Sequence, residues 1–180
     1  MVGWVAVEWL RDGKATLLGT ASGLVAGLVA ITPAAGFVTV TSAIIFGLVA
    51  GPICYVAVQL KERLGYDDSL DVVGIHGVGG IVGGLLLGLL SSLDVNEGGA
   101  AGGIDLLISQ IIAMGSVIAY SGIGTFVIVM FVKSVMGLRV SEEEEFAGLD
   151  LSIHGEPVYG SDHGSTIDLT AGAQEPATVD

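Results

Sequence analysis

No charged residue interrupts the stretch from Ala15 to Leu60, which reads ATLLGTASGLVAGLVAITPAAGFVTVTSAIIFGLVAGPICYVAVQL. About 20 helical residues cross a hydrocarbon core of roughly 30 Å, so this stretch is too long for a single crossing. The segment Thr32–Gly36 combines a proline with a glycine and provides the break between two helices. We therefore predict two membrane-spanning helices, at residues 15–33 and 39–60.

Two further uncharged stretches, Val72–Leu93 and Leu106–Val132, predict spans at residues 69–93 and 104–136. The opening residues 1–10 are apolar but too short to span, and we interpret them as the last turns of a partial helix whose beginning is absent. The predicted fold class is all-α, a polytopic transmembrane helix bundle. Residues 1–138 form its transmembrane region, and residues 139–180 form an acidic C-terminal tail.

Composition supports the membrane assignment. Apolar residues make up 52% of the chain and charged residues only 14%, whereas a soluble domain carries about a quarter charged residues. The net charge of −13, with only six Lys and Arg residues, argues against nucleic-acid binding. Cys54 is the only cysteine, which excludes an internal disulfide framework and a multi-thiolate metal site.

The basic residues predict the topology. With four spans, every base falls in a segment on the same side of the membrane, and the opposite loops carry none. The bases are Arg11, Lys14, Lys61, Arg63, Lys133 and Arg139. Because loops rich in Lys and Arg stay in the cytoplasm, we expect a multi-pass membrane protein with a cytoplasmic C-terminus.

Glycines recur at spacing four within the predicted spans. The rows are Gly19, Gly23 and Gly27; Gly47 and Gly51; and Gly80, Gly84 and Gly88, with Gly79 and Gly83 beside the last. Close backbone approach drives helix association in lipid, and rows of small residues permit that approach. We interpret the rows as packing seams of a tight bundle.

His76 is the one histidine inside the four uncharged stretches. A titratable group at membrane depth is costly, so its default interpretation is functional. Its neutral imidazole has one donor and one acceptor nitrogen and could exchange a proton with a polar solute. The alternative is a histidine that only hydrogen-bonds a neighbouring helix. Asp68 and Asp71 precede it and suit a helix N-terminus, where one of them could cap.

Four segments are specific enough to indicate a family. They are GTASGLVAGLVAITPAAG at residues 19–36, DVVGIHGVGG at 71–80, GLRVSEEEE at 137–145 and GLDLSIHGE at 148–156. The chain resembles the C-terminal part of ammonium transporters of the Amt/Rh family. The resemblance implies the second half of an eleven-helix fold with inverted repeats, in a homotrimer of the plasma membrane.

The resemblance also implies a function: ammonium or ammonia crosses the membrane through a hydrophobic pore. His76 matches one of the family's two pore histidines, the proposed proton relay, and Val72 and Ile75 match positions that line the channel. The expected partners are membrane lipid and ammonium. We expect neither enzymatic activity, nor a cofactor, nor a bound metal.

The tail adds a regulatory hypothesis. Ser141 followed by Glu144 predicts a capping box at a short helix start. The glutamates Glu142, Glu143, Glu144 and Glu145 are typical of a solvated face. The resemblance implies more: in the family this tail docks under a neighbouring protomer, and PII-type signal proteins block the pore from the cytoplasmic side. Ser152 matches a position where plant relatives carry a regulatory threonine. A metal site at His154, Asp162 and His163 is disfavoured, because their spacing fits no standard pattern.

Other interpretations remain open. The chain could be a non-transporting fragment that acts only as a membrane interaction module, or a gas channel of the Rh branch. An intramembrane enzyme is disfavoured, since the spans contain no Ser–His or multi-carboxylate arrangement.

Overall fold

The computed structural model describes residues 1–156, and all regular secondary structure within that range is helical. Residues 157–180 of the predicted tail, including Asp162 and His163, lie outside the described residues. The helices are α1 (Val2–Asp12), α2 (Leu17–Ile31), α3 (Val40–Leu64), α4 (Val78–Leu90), α5 (Ile104–Val135), α6 (Glu142–Ala147) and α7 (Leu149–His154). A 3₁₀ turn, Thr32–Ala34, follows α2, and a π-helical segment, Val73–Gly77, precedes α4.

Four of these segments are long and apolar enough to cross a membrane. They are Leu17–Ala34, Val40–Leu64, Val73–Leu90 and Ile104–Val135. The third is shorter than the predicted 69–93, because the loop before it and the turns after Leu90 hold their own hydrogen bonds. An all-helical fold with four spans is what the uncharged stretches predicted.

Local side-chain chemistry explains where these helices begin and end. The hydroxyl oxygen of Thr16 accepts a hydrogen bond from the backbone N–H of Gly19 at 2.9 Å and caps α2. Thr39 caps α3 in the same way through the N–H of Ser42. At the other end of α3, Gly65 adopts a φ of +67° that other residues resist, and its N–H bonds the Lys61 carbonyl.

Helix α1 packs against both α2 and α3 at glycines. A Cβ added at Gly51 of α3 would lie 2.6 Å from the backbone nitrogen of Trp4, and one at Gly23 of α2 would lie equally close to the Trp4 side chain. Gly27 and Gly47, from the same predicted rows, face open space or a distant neighbour. Only part of each predicted glycine row is therefore a packing seam in the described residues.

Helix α4 uses its glycines on two sides. Gly83 abuts the backbone of Ala30 on α2, and a Cβ at Gly79 would lie 3.3 Å from Cys54 Sγ. Toward α5, a Cβ at Gly88 would lie 2.7 Å from the Cα of Leu107. Gly80, in contrast, has no neighbour within 4 Å. In the predicted row Gly80, Gly84 and Gly88, the first glycine thus has no neighbour, whereas the other two pack against α5.

Pro52 sits inside α3, where it cannot donate a hydrogen bond to the carbonyl of Leu48. The sequence predicts a bend at this proline. Helix α1 packs against the same place: a Cβ added at Gly3 would lie 2.8 Å from the Leu48 carbonyl oxygen and from Pro52 Cδ. Only a glycine therefore lets α1 approach the Leu48 carbonyl, to which Pro52 has no N–H to donate.

Three small groups of buried residues form the core, all of them within residues 1–90. The largest contains Trp4, Ala26, Cys54, Tyr55 and Ile75, so it joins α1, α2, α3 and the π-helical segment. The second is centred on Ala30, Ala50 and Val82, and the third on Ala34, Phe46 and Leu87. Of the three groups, the first lies directly behind the segment that carries His76, because it includes Ile75.

The chain divides into two compact units, residues 1–125 and the described part of residues 126–180. The second unit contains the end of α5 and the two short helices of the tail. Ser141 and Glu144 form the predicted capping box: Glu144 N–H donates to Ser141 Oγ, and Ser141 N–H donates to the Glu144 carboxylate at 2.9 Å. The capping box is therefore confirmed.

Candidate functional site

His76 lies in the five-residue π-helical segment Val73–Gly77, which joins a short loop to α4. π-Helical turns are rare and are frequently found at functional sites. The segment tolerates the wider turn because its inner face is small: a Cβ at Gly74 would lie 3.0 Å from the backbone nitrogen of Val58 on α3. Here the backbone is held against α3 while the histidine side chain is not.

A carboxylate anchors the start of this segment. Both oxygens of Asp68 accept main-chain hydrogen bonds, from Val72 N–H at 2.9 Å and from Val73 N–H at 2.8 Å. A negative charge at this end also suits the positive end of the helix dipole. Of the two aspartates that the sequence singled out, Asp68 is therefore the cap.

Asp71 has a different role. Its carboxylate accepts a hydrogen bond from Lys61 Nζ at 2.5 Å, and the same ammonium donates to the Asp68 carbonyl at 2.8 Å. Asp71 also has a φ of +55°, uncommon for a residue other than glycine. Lys61 at the end of α3 thus holds the loop in the conformation that starts the segment.

The structure separates the three residues predicted to line the pore. His76 and Val72 are exposed and stand one helical turn apart. Ile75 is only 5% exposed and packs in the core group with Trp4 and Tyr55, while its carbonyl oxygen faces Cys54 Sγ at 3.9 Å. His76 and Val72 therefore lie on the open side of the segment, and Ile75 lies on its buried side.

An open, mostly apolar cavity of about 360 Å³ begins next to this segment. Gly77 and Gly80 form its wall on one side, and Met114 and Val117 of α5 form the other. The carboxamide of Gln110 is the polar side chain that reaches it. Because Gly80 lacks a side chain, this space stays open to a small solute, although His76 itself does not line it.

The predicted tail residues lie on α6 and α7. All four glutamates and Ser152 are exposed, and the Ser152 hydroxyl donates to the Glu144 carbonyl at 3.5 Å. Hydrogen bonds from the Ser141 N–H and hydroxyl hold the pKa of the Glu144 carboxyl below its usual value of 4.5. Residues 1–156 contain no group of three or more metal-ligating side chains.

Sequence reasoning missed a buried polar group on α1. Glu8 is 6% exposed and accepts a hydrogen bond from the Thr16 hydroxyl at 2.7 Å, with Gly19 directly against its carboxylate. One turn further along α1, Asp12 accepts a 2.5 Å hydrogen bond from the Tyr55 hydroxyl. The available signal was a pair of acids, four residues apart, in or beside an apolar helix.

Comparison with known proteins now decides the family. A sequence model described as Ammonium Transporter Family matches residues 1–159 of the chain. The chain belongs to the ammonium transporter family. The ammonium transporter of Bacillus subtilis is 47% identical to it over 88% of its length. A protein of Methanothermobacter thermautotrophicus that is named a putative ammonium transporter is 48% identical over the same share. The family consists of transporters and not of enzymes.

Solved structures agree with this assignment. Mep2 of Saccharomyces cerevisiae superposes with a TM-score of 0.73 at 35% identity over 79% of the chain, and Candida albicans Mep2 with 0.72 at 38%. The chain spans about two fifths of the curated relatives it matches, 41% and 40% of the two named above. It covers 34% of either Mep2 chain.

Proposed function

We propose that this chain takes part in moving ammonium or ammonia across the plasma membrane, as the C-terminal part of a transporter. The family assignment and the names of the relatives support the substrate. Four apolar helices support the membrane setting. The match to the second half of an eleven-helix fold rests on the motifs around His76 and in the tail.

The observation that carries the proposal is the placement of His76. Its backbone is fixed by the Asp68 cap and by close packing of Gly74 on α3, yet its imidazole stays exposed. A histidine that only completes the packing of this bundle would be buried and bonded to a neighbouring helix. An imidazole held on a rigid support and left accessible suits a group that meets a passing solute.

In this proposal the imidazole accepts a hydrogen bond or a proton from ammonium and returns it as ammonia moves on. Val72, one turn away, provides an apolar wall, which disfavours the charged ion relative to neutral ammonia. Ile75 keeps the ring in position by filling the core behind it.

Several features of the complete protein follow from the same proposal. They are a homotrimeric assembly, a cytoplasmic C-terminus, and a tail that Ser152 and the glutamates of α6 make available to a PII-type signal protein. The exposure of α6 and α7 is consistent with a segment that binds a partner.

The test replaces His76 by alanine in the native-length protein. We expect methylammonium uptake to fall by tenfold or more, because removal of a positioned acid–base group typically costs 10²–10⁴-fold. His154→Ala is the matched control, since it removes an imidazole from the tail helix α7. Uptake equal to wild type by well-expressed His76→Ala protein contradicts the pore role.

The same preparation reports the other features. Current across a bilayer reconstituted with it distinguishes a net movement of charge from gas conduction of the Rh type. Its mass in detergent gives the number of protomers, and co-purification with a PII-type protein tests the role of the tail.

A further inference from the structure

A polar cavity lies away from His76, where α1 and α3 end. Its volume is about 280 Å³, and residues from both helices line it. They are Arg11, Val56, Gln59, Leu60, Glu62 and Arg63. Arg11 belongs to the last turn of α1 and Arg63 to the last turn of α3. This is the end of the bundle where all the bases of residues 1–90 fall.

The α3 wall of the cavity changes in character along the helix. Val56, Gln59, Leu60 and Arg63 are spaced i, i+3, i+4 and i+7, so they share one face of α3. The face is apolar toward the middle of the span and cationic at its end. A ligand with an apolar chain and an anionic head matches that gradient.

Three carboxylates near this end of the bundle each accept a hydrogen bond from a side chain other than the two arginines. Asp12 accepts from the Tyr55 hydroxyl, Glu8 from the Thr16 hydroxyl and Asp71 from Lys61. Glu62 is the one acid among the lining residues, so the formal charge of the cavity wall is +1. Ring contact orients one cation: the guanidinium carbon of Arg11 lies 6.0 Å from the centre of the Tyr55 ring.

We propose that this cavity binds a phosphate group, either the headgroup of an anionic phospholipid or free phosphate. Two guanidinium groups from different helices provide planar, forked donors that match phosphate oxygens, and the Gln59 carboxamide adds a further donor. Basic pockets between spans near the cytoplasmic interface are typical of lipid headgroup sites. Val56 and Leu60 lie where the acyl chain of a lipid would continue.

The experiment titrates short-chain phosphatidylglycerol into the native-length protein in detergent and counts bound lipids by native mass spectrometry. Phosphatidylcholine and inorganic phosphate are titrated in parallel. Each base near an anionic headgroup contributes about 1 kcal/mol, so we expect roughly fivefold weaker binding of phosphatidylglycerol per arginine replaced in Arg11→Gln and Arg63→Gln. Glu62→Gln should strengthen binding, because it removes the opposing charge.

Lys14→Gln is the matched control, since Lys14 lies at the same end of the bundle but does not line the cavity. Selective binding of phosphatidylglycerol that the arginine variants lose supports a lipid headgroup, and binding of inorganic phosphate with the same losses supports a free ligand. Equal binding of both lipids without any binding of phosphate, or equal losses in Lys14→Gln, would overturn the proposal. Thermal unfolding of each variant identifies any that is misfolded. If an arginine variant is misfolded, the stronger phosphatidylglycerol binding expected for Glu62→Gln tests the proposal independently.

Discussion

Helices α3 and α5 are both apolar enough to cross a membrane, yet they differ in how many of their residues are buried within the described structure. Helix α3 buries Phe46, Ala50, Gly51, Cys54 and Tyr55, whereas α5 has no buried residue along its 32 positions. The difference continues down the chain, since no residue from Leu89 to Glu156 is buried. Apolar composition therefore identifies a span without telling how much of its surface other segments of this chain cover.

Close contact at small residues separates the two helices. Gly51 of α3 lies directly against the backbone of α1, while Gly115, Gly122 and Gly124 of α5 have no neighbour within 4 Å. Both helices contain glycines, so the presence of glycine does not define a seam. What matters is whether the partner helix places its own backbone opposite the glycine.

The largest expected effect comes from adding one methyl group at Gly51. The Cβ of Gly51→Ala would lie 2.6 Å from Trp4 N and 3.1 Å from the Gly3 carbonyl carbon, so α1 would have to move away. Overpacking of this kind costs about 1–3 kcal/mol, and more when backbone must shift. We expect a clearly lower midpoint of thermal unfolding in detergent, with weaker yield of folded protein.

Two alanine variants sharpen this result. Gly47→Ala, one turn earlier on α3, meets open space and should leave the midpoint unchanged or raise it, because alanine favours helix by about 1 kcal/mol over glycine. Gly122→Ala repeats the change on α5 with the same expectation. A loss of stability in Gly122→Ala as large as that in Gly51→Ala would break the comparison between the two helices.

A smaller effect is expected at the buried carboxyl group of α1. Glu8→Ala removes the acceptor of the Thr16 hydroxyl and leaves a void against Gly19, which should destabilise the protein by about 1–3 kcal/mol. The counterpart on α5 is Ser116→Ala, which removes an exposed hydrogen bond to the Ile112 carbonyl and should change stability by less than about 0.5 kcal/mol. Thermal unfolding of the two variants side by side checks the contrast, and equal midpoints would contradict it.

The smallest effect concerns α6, which is held by its own capping box. Because the folded pKa of Glu144 is lowered, the cap contributes fully above the ordinary value of 4.5 and is lost as the pH falls through the lowered pKa. We expect amide exchange in residues 142–147, corrected for intrinsic rates, to speed up in acid. Ser141→Ala should show faster exchange already at neutral pH. Exchange that does not differ between wild type and Ser141→Ala at any pH would refute the role of the cap.

The sequence predicted the features that depend on local composition. Uncharged stretches located four spans, and the serine and glutamate of residues 141–144 predicted the capping box. Asp68 was foreseen as one of two candidates for the cap. Each of these depends on residues that are close together in the chain, so the pattern is visible before any tertiary contact is known.

The features that were missed depend on contacts between distant residues. The burial of Glu8 requires Thr16 and Gly19 to close over it, and nothing in the apolar opening segment shows this. The burial of Ile75 beside Trp4 and Tyr55 likewise depends on contacts with α1 and α3 that the local sequence does not show. The π-helical segment also could not be predicted, because it lies where Asp68, Lys61 and Val58 hold the backbone at its start.

The wide π-helical turn determines how the residues before it are rotated about the helix axis relative to α4. An α-helix advances by roughly 100° per residue, so the extra residue in Val73–Gly77 rotates Val72 and the loop by about that angle relative to the helix that follows. Shortening the turn by one residue would keep Gly79 and Gly83 seated on α2 and swing the preceding surface around the helix axis. The direction in which the imidazole of His76 points is thus a matter of residue count as much as of residue type.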